Sequence, residues 1–312
     1  MSTIADPIPA ATEPPAGGRE HSVLKQLLAN AGVRFGGAVL LLFVLIALVA
    51  PLLGTIDPAF LDPTYRNKLP LETHPILDDA GEEVTVTHWM GTDTLGRDLY
   101  SRVIYGTRVS LIVGFSVAVL AISIGLTIGL LSGYIRWLDA VIMRVMDGLM
   151  AIPAILLALS LVALWGAGLV TVILAIAVPE IPRVVRLVRS VVLSVREEPY
   201  VEAAISIGTP VPKILYRHIL PNTIAPLIVQ ATYTCGFAIL VEAILSFLGV
   251  GIPTDIPTWG NIMAEGRLLF RVYPHAILFP GIFLALAVLA VNVLGDGLRD
   301  TLDPRFAKRT ST

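Results

Sequence analysis

The chain has 312 residues, of which 55% are hydrophobic and only 15% are charged, and its mean hydropathy is +0.79. This composition excludes an ordinary soluble domain and indicates an integral membrane protein. The net charge of −2 gives no sign of a nucleic-acid partner, and none is expected, while the single cysteine, Cys235, excludes a disulfide framework and a cysteine-based metal site.

The N-terminal part of the chain combines a polar tail with a first apolar run. Residues 1–21 are rich in Pro, Ala, Gly and Thr, a composition that predicts a disordered cytoplasmic tail. Lys25 and Arg34 then precede the 19 uncharged residues Phe35–Leu53, which are enough to cross a bilayer. Because no Ala-x-Ala cleavage site follows, residues 22–56 are predicted to form an N-terminal segment with an uncleaved first transmembrane helix.

Residues 57–107 are predicted to form a solvated extracytoplasmic loop. Within it, Leu77–Gly81 has the composition of a turn, and Glu83–Thr87 alternates as a strand does, so a small β-hairpin is predicted.

The end of this loop has the pattern of an interfacial helix. Leu95, Leu99 and Val103 recur every four residues and predict an apolar face along the outer membrane interface. Asp98 is predicted to pair with Arg102 one turn later.

The rest of the chain divides into apolar runs bounded by charges. Residues 108–298 are predicted to form a core of five further spans, with the turn between the third and fourth span at Gly166–Gly168. The predicted second to sixth spans cover 109–135, about 139–164, about 169–188, about 222–248 and part of 272–295. Six crossings place the C-terminal tail, residues 299–312, on the same side as the N-terminus.

The distribution of basic residues predicts which side that is. With this topology, 15 Lys and Arg lie on the side of the two termini and 7 on the other side. Since positive charge accumulates in cytoplasmic segments, both termini are predicted to be cytoplasmic.

A polar island, residues 200–222, separates the predicted fourth and fifth spans. Gly208 suits the left-handed residue that ends a helix, Thr209 an N-cap and Pro210 the first position of a new helix. Two short helices joined at Gly208 are therefore predicted, with the second ending at Leu220-Pro221. This corner would be a rigid cytoplasmic knob that a soluble partner can grip.

The island resembles the EAA loop of bacterial ABC importer permeases, which lies within residues 190–222 here. The residues that match this loop, including His218, which is typical of the peptide and nickel branch, are Glu202, Ala203, Ala204, Gly208, His218, Leu220 and Pro221. The resemblance implies that the loop is the coupling helix and that Glu202 faces a cleft on the ATPase subunit. The alternative is that Glu202 is an ordinary solvated helix residue and Gly208 a plain turn.

Three further strings are similar to the C-type permeases of dipeptide, oligopeptide and nickel importers. They begin at Gly91, Leu240 and Asn292, so that the resemblance covers about residues 91–304. It implies an all-α, six-span type I ABC importer permease fold in a bacterial inner membrane. It also implies a B-type permease, two ATPase subunits that bind ATP and Mg²⁺, an external solute-binding protein, membrane lipid and a peptide substrate as partners.

Charges inside the predicted spans are costly and indicate either a buried pair or a functional path. Glu180 is predicted to pair with Arg183, and Asp147 with Arg144. Glu242 has no obvious partner and is the candidate for facing the interior or a sister subunit. The recurring arginines of the fourth span, Arg183, Arg186 and Arg189, are predicted to form a stripe that faces lipid phosphates.

The absence of nucleotide-binding and metal-binding sequence motifs narrows the range of functions predicted for the chain. The chain contains no Gly-x-x-x-x-Gly-Lys-Ser/Thr string and no His-Glu-x-x-His string, so no catalytic, cofactor-binding or metal site is predicted. A stand-alone secondary transporter and a membrane-embedded enzyme remain as alternatives of other classes. Nickel chelates and glutathione remain as alternative substrates, because selectivity in this branch rests largely with the binding protein.

Overall fold

Long apolar helices form most of the chain in the computed structural model, which describes residues 25–77 and 83–302. The principal elements, in chain order, are α1 (Ala31–Val49), β1 (Glu72–Leu77), β2 (Glu83–His88), α2 (Leu99–Tyr134), α3 (Arg136–Met150), α4 (Ala154–Trp165), α5 (Leu169–Arg196), α6 (Pro199–Ser206), α7 (Val211–Ile214), α8 (Leu220–Phe247), α9 (Trp259–Gly266) and α10 (His275–Leu302). Short 3₁₀ turns occur at Ala50–Leu52, Pro63–Tyr65 and Arg267–Leu269. The tail predicted at 1–21 and residues 303–312 lie outside the described residues.

Within the described ranges, four helices are long and apolar enough to cross a membrane: α1 with its 3₁₀ turn, α2, the run Val211–Phe247 that contains α8, and α10. The pair α3 and α4 would make a fifth crossing. Helix α5 has 28 residues and is the predicted fourth span, but it carries Glu180 and several arginines. The all-α membrane fold is therefore confirmed, whereas the count of six crossings remains a prediction.

The predicted third span is not one straight helix. Helices α3 and α4 meet at an angle of 87°. The break lies before Pro153, whose ring lacks the N–H that would continue the helix and disfavours helical backbone at the preceding residue. The predicted turn at Gly166 is present, because α4 ends there with the glycine at φ +91°.

The predicted interfacial helix is not a separate element. Leu99 is the first residue of α2, which continues without a break for 36 residues, about 54 Å at 1.5 Å per residue. Leu99 and Val103 are fully buried, whereas Leu95 lies outside the helix and is 40% exposed. The four-residue spacing therefore reflects packing inside the bundle, and residues 99–107 are continuous with the helix that contains the second span.

The predicted pair between Asp98 and Arg102 is also wrong. Asp98 is the N-cap of α2 and accepts a hydrogen bond from the Ser101 backbone N–H at 2.7 Å. The Arg102 guanidinium instead lies 3.3 Å from the Glu265 carboxylate of α9, which ties the start of α2 to the loop after α8.

The predicted hairpin is present. Strands β1 and β2 pair in antiparallel register from Glu72 opposite His88 to Leu77 opposite Glu83. The predicted turn at its tip falls at 78–82, outside the described residues.

Candidate functional site: the corner between α5 and α8

The corner that joins α5 to α8 begins with the short helix α6. This helix ends as the sequence predicted, with Gly208 in the left-handed region at φ +78°. The Gly208 N–H donates to the Ile205 carbonyl at 2.9 Å, and the Thr209 N–H donates to the Ala204 carbonyl at 3.1 Å. This pair of bonds is the Schellman arrangement, which closes a helix rigidly and turns the chain away from its axis.

The second helix of the corner differs from the prediction at both ends. Helix α7 begins at Val211, so Pro210 rather than Thr209 is its flanking residue. Leu220-Pro221 does not end the helical path, because a π-turn at Leu215–Ile219 leads directly into α8.

The π-turn has a physical reason in the residues around Pro221. Pro221 has no N–H for the i→i−4 bond, and the wider turn lets the Leu220 N–H donate to the Leu215 carbonyl. The Asn222 side-chain amide donates to the His218 carbonyl at 2.6 Å. The corner is therefore continuous with α8, so that a displacement of the corner is transmitted to this span.

The inner side of the corner is anchored in the bundle. Val201, Ile214 and Ile219 are buried in one apolar cluster with valines of α5, and Ala204 is buried as well. Ala204 of the predicted Glu-Ala-Ala group thus belongs to the core. The corner is held to both neighbouring spans by apolar burial.

The outer side of the corner is open and partly apolar. Glu202, Ala203, Gly208 and Pro221 are exposed, whereas Leu220 and His218 are half-buried. The His218 ring lies 5.9 Å from the ring of Tyr200, centroid to centroid, across the corner.

Sequence reasoning missed two residues of this outer side. Ile207 is 82% exposed and Tyr216 is 75% exposed, although both are large and apolar or aromatic. Exposed aromatic and aliphatic side chains on a rigid knob are typical of a protein interface. The sequence signal that could have identified them is the presence of a large apolar and an aromatic residue within an otherwise polar segment.

Glu202 also borders a groove of about 530 Å³ beside the end of α2. Arg136 and Arg196 line the same groove together with Asp139 and Glu197, so the carboxylate belongs to a polar hollow of mixed charge. The corner thus presents a charged recess beside an apolar knob.

Glu242, the other predicted site residue, is enclosed by this chain. Its side chain is fully buried, and its carboxylate accepts a hydrogen bond from the Ser246 hydroxyl at 2.8 Å. The Ser110 hydroxyl of α2 lies 3.5 Å from the other carboxylate oxygen. Hydroxyl groups of a residue one turn later and of the facing helix therefore bind the Glu242 carboxylate, and its role in a path or at a subunit interface stays a prediction.

Other charged residues of the spans form ion pairs, one within α5 and two between α5 and α3. Glu180 and Arg183 pair at 2.9 Å, as predicted. Asp147 pairs with Arg186 at 2.6 Å rather than with Arg144. Arg189 of α5 donates to Asp139 of α3 at 2.7 Å.

The predicted arginine stripe is therefore wrong as a lipid-phosphate surface. The bend between α3 and α4 brings α3 alongside α5, where Asp147 and Asp139 neutralise Arg186 and Arg189, while Arg183 is neutralised by Glu180 of α5 itself. In the described part of the chain, no three His, Cys, Asp or Glu side chains converge as metal ligands do.

The fold and the corner together define a membrane-embedded transport subunit: apolar spans joined by a rigid knob that is exposed on one side. The profile of the family described as "Binding-protein-dependent transport system inner membrane component" matches residues 121–308, and that of the "N-terminal TM domain of oligopeptide transport permease C" matches residues 21–70. The chain belongs to the binding-protein-dependent transport system inner membrane component family. It is a permease subunit of the C type and not an enzyme.

Relatives cover almost the whole chain. A probable peptide ABC transporter permease protein, y4tQ of Sinorhizobium fredii, is 51% identical over 289 residues, which is 93% of this chain and 94% of the relative. The dipeptide transport system permease protein DppC of Alkalihalophilus pseudofirmus is 42% identical over 287 residues, 92% of this chain and 90% of the relative. The glutathione transport system permease protein GsiD of Pectobacterium atrosepticum is 43% identical over 230 residues, 73% of this chain and 76% of the relative.

Proposed function

We propose that this chain is the C-type transmembrane subunit of an ATP-driven importer of dipeptides or oligopeptides. In this proposal it forms one half of the translocation path, and a B-type permease forms the other half. Two cytoplasmic ATPases bind ATP and Mg²⁺, and an extracytoplasmic solute-binding protein delivers the peptide. The chain itself binds no nucleotide and no metal.

The observation that carries the proposal is the construction of the corner. Its inner side is buried against α5, its last turn continues into α8, and its outer side exposes Glu202, Ile207 and Tyr216. A knob that is fixed to both helices in this way moves with them as a rigid body when a partner binds it. ATP-driven closure of the ATPases would therefore tilt α5 and α8 together and shift a bundle between outward-open and inward-open states.

The proposed orientation places the corner in the cytoplasm. Arg183, Arg186, Arg189, Arg196, Lys213 and Arg217 lie in or beside it, and cytoplasmic segments of membrane proteins are enriched in positive charge. In this orientation both termini are cytoplasmic, and the loop with the hairpin is outside the inner membrane.

Peptides are the proposed substrate because a relative of 51% identity is named as a probable peptide permease and one of 42% identity as a dipeptide permease, and each is matched over more than 90% of this chain. Glutathione is the second candidate, since a relative of 43% identity is named as a glutathione permease. Glutathione is itself a short peptide, so both candidates share amide groups and charged ends.

The test is transport by the complete complex in proteoliposomes. The chain, its B-type permease, the two ATPases and the binding protein encoded beside it would be reconstituted together. The proposal expects uptake of a labelled dipeptide or tripeptide only with ATP and binding protein present. Uptake driven by a proton or sodium gradient without ATP would contradict it and would support a secondary transporter.

A further inference from the structure

One face of α8 borders a groove that runs the length of the span. Pockets of about 650 and 280 Å³ lie along it and share Gln230 and Tyr233. Their lining extends from Pro221 to Leu240, about 28 Å at 1.5 Å per residue, which is close to the ~30 Å thickness of a hydrocarbon core. Helix α5 forms one side of the groove and α10 the other.

The middle of this groove is polar. Gln230 of α8 and Asn292 of α10 present half-buried carboxamides, and the Tyr233 hydroxyl donates to the Asp296 carboxylate at 2.6 Å. The charged residues of the groove's lining are Glu180 and Arg183, which form a neutral ion pair, and Arg299 at the end near Leu302. The Arg183 guanidinium also lies over the Phe237 ring at 5.1 Å, which holds it against the wall.

Acyl chains offer no hydrogen bonds, so polar side chains at membrane depth face a protein interior or a water-filled cavity. Carboxamides donate and accept at once, and they match the alternating N–H and C=O groups of a peptide main chain. A neutralised ion pair does not favour one charged end of a ligand over the other. Leu240, Phe237 and Val288 add apolar wall without selecting a particular side chain.

We propose that this groove is this subunit's wall of the substrate path and that Gln230 and Asn292 contact the peptide main chain. The proposal rests on the proposed function and assigns it a binding surface. It explains tolerance of different peptide side chains, because recognition is directed to groups that all peptides share.

The test uses the reconstituted complex with Cys235 replaced by Ala. In that background, Gln230→Cys and Asn292→Cys should react with a charged, water-soluble methanethiosulfonate, and transported dipeptide with binding protein and ATP should slow the reaction several-fold. Leu286→Cys, at an exposed apolar position of α10 outside the groove, is the control and should not react. Gln230→Leu should lower uptake about tenfold.

Absence of labelling at both positions, or labelling that the peptide does not slow, would overturn the groove inference. So would a spontaneous disulfide or bifunctional crosslink from Gln230→Cys to the sister permease, which would show that the partner subunit fills the groove. In all three cases ATP-dependent uptake can persist, and the proposed function then stands. Loss of ATP-dependent uptake in the unmodified complex would refute the proposed function and the groove inference together.

A separate observation concerns the loop between α1 and α2. Asp62, His74, His88 and Asp98 form an unbroken row of three contacts: 3.0 Å from Asp62 to His74 Nε2, 2.9 Å from His74 Nδ1 to His88 Nε2, and 2.8 Å from His88 Nδ1 to Asp98. His88 is 1% exposed and His74 is 9% exposed. The row joins both strands of the hairpin to the N-cap of α2.

The three contacts of this row can all be hydrogen bonds only if the two imidazole rings carry enough protons. Each contact needs one proton between its two acceptor atoms, which makes three, whereas two neutral imidazoles carry only two N–H groups. A hydrogen bond from the Thr64 hydroxyl, with a further one from His74, lowers the pKa of the Asp62 carboxyl, so this end of the row is an ionised acceptor. Asp98 also accepts from the Ser101 backbone and hydroxyl groups.

We infer that His74 and His88 share one proton more than two neutral imidazoles carry. This proton stabilises the contacts between the hairpin and the start of α2. Besides Asp62 and Asp98, the ionisable group packed on the pair is Tyr65, whose ring stacks on His74 at 3.7 Å. The Lys68 ammonium lies 4.9 Å over the Tyr65 ring and 4.0 Å from Glu72. A second added proton would break the contact between the rings by repulsion, and loss of the extra proton would leave two lone pairs facing each other.

Amide hydrogen exchange of residues 72–77 and 83–88 in the full reconstituted complex tests this inference. His74→Phe keeps a ring stacked on Tyr65 but removes the ring nitrogens of the row, so protection of both segments should fall several-fold. In the unmodified protein, nitrogen-15 spectra of labelled histidines should show three ring N–H groups on the pair. Unchanged protection in His74→Phe, or two or four ring N–H groups on the pair, would overturn the inference.

Discussion

Gly129 of α2 lies directly against Val188 of α5: a Cβ built on the glycine would be 2.6 Å from the valine Cβ. The same relationship recurs one turn earlier and later, at Gly125 with Val184 and at Gly133 with Val192. The glycines form a flat strip that lets the two helices approach closely, and close approach is the main source of helix association in lipid.

Gly129→Ala is therefore expected to destabilise the protein by roughly 1–3 kcal/mol, because the added methyl group forces α2 and α5 apart. Thermal unfolding of the detergent-solubilised chain measures the change. Gly37→Ala in α1 is the matched control, since no atom lies within 4 Å of its added Cβ. Val188→Ala should restore part of the lost stability in the double variant; strict additivity would contradict the packing explanation.

Gly208→Val is expected to abolish transport while membrane insertion and expression persist. A β-branched residue at φ +78° costs at least roughly 1–2 kcal/mol, and relief of the strain would break the two hydrogen bonds that close α6. Uptake in proteoliposomes and the yield of inserted protein are the two measurements. Gly208→Asn tolerates the left-handed backbone and should retain most activity; normal uptake by the valine variant would count against the coupling role.

Glu202→Lys is expected to weaken association with the ATPase subunits at least about tenfold, because reversal of an exposed interface charge replaces attraction with repulsion. Co-purification of the ATPases with the tagged permease measures it, and the loss should be smaller at high salt. Asp255→Lys makes the same charge change at an exposed position outside the corner and should have no effect. Equal recovery of the ATPases with both variants would remove Glu202 from the docking surface.

Glu242→Gln is expected to preserve stability and uptake, because the amide oxygen still accepts from the Ser246 hydroxyl in the same buried space. Glu242→Leu should lose roughly 1–3 kcal/mol, since it leaves a buried hydroxyl without its acceptor. Thermal unfolding and ATP-dependent uptake of both variants distinguish structure from transport. A well-folded Glu242→Gln variant that fails to transport would show that the ionised carboxylate itself acts in the path.

Local chemistry explains why several elements could be predicted from the sequence. The lengths of the uncharged apolar runs predict the positions of α1, α8 and α10. The tolerance of Gly208 for left-handed backbone predicts the end of α6. The hairpin follows from alternation around a turn. Each of these features depends on a few neighbouring residues, which is why a single sequence determines it.

The incorrect predictions concern charged residues for which a partner distant in the sequence competes with a partner one turn away. Asp147 has Arg144 one turn away, yet the bend before Pro153 brings it to Arg186 of α5. Asp98 has Arg102 nearby, but its carboxylate instead accepts a hydrogen bond from the Ser101 N–H at the N-terminus of α2 and contacts the His88 ring. Spacing along the chain predicts which pairs are possible and not which of several partners is closest in space.

The sequence by itself determined the class of the protein, because its apolar runs need a bilayer and its motif strings are those of one permease family. It also determined where the corner turns, since glycine adopts the left-handed backbone at residue 208 more readily than residues with a side chain. Only the tertiary structure decided which charges pair, that Ala204 is buried while Ile207 is exposed, and that Gln230 and Asn292 share a groove. These relationships depend on how separate helices pack, and packing is a property of the whole bundle.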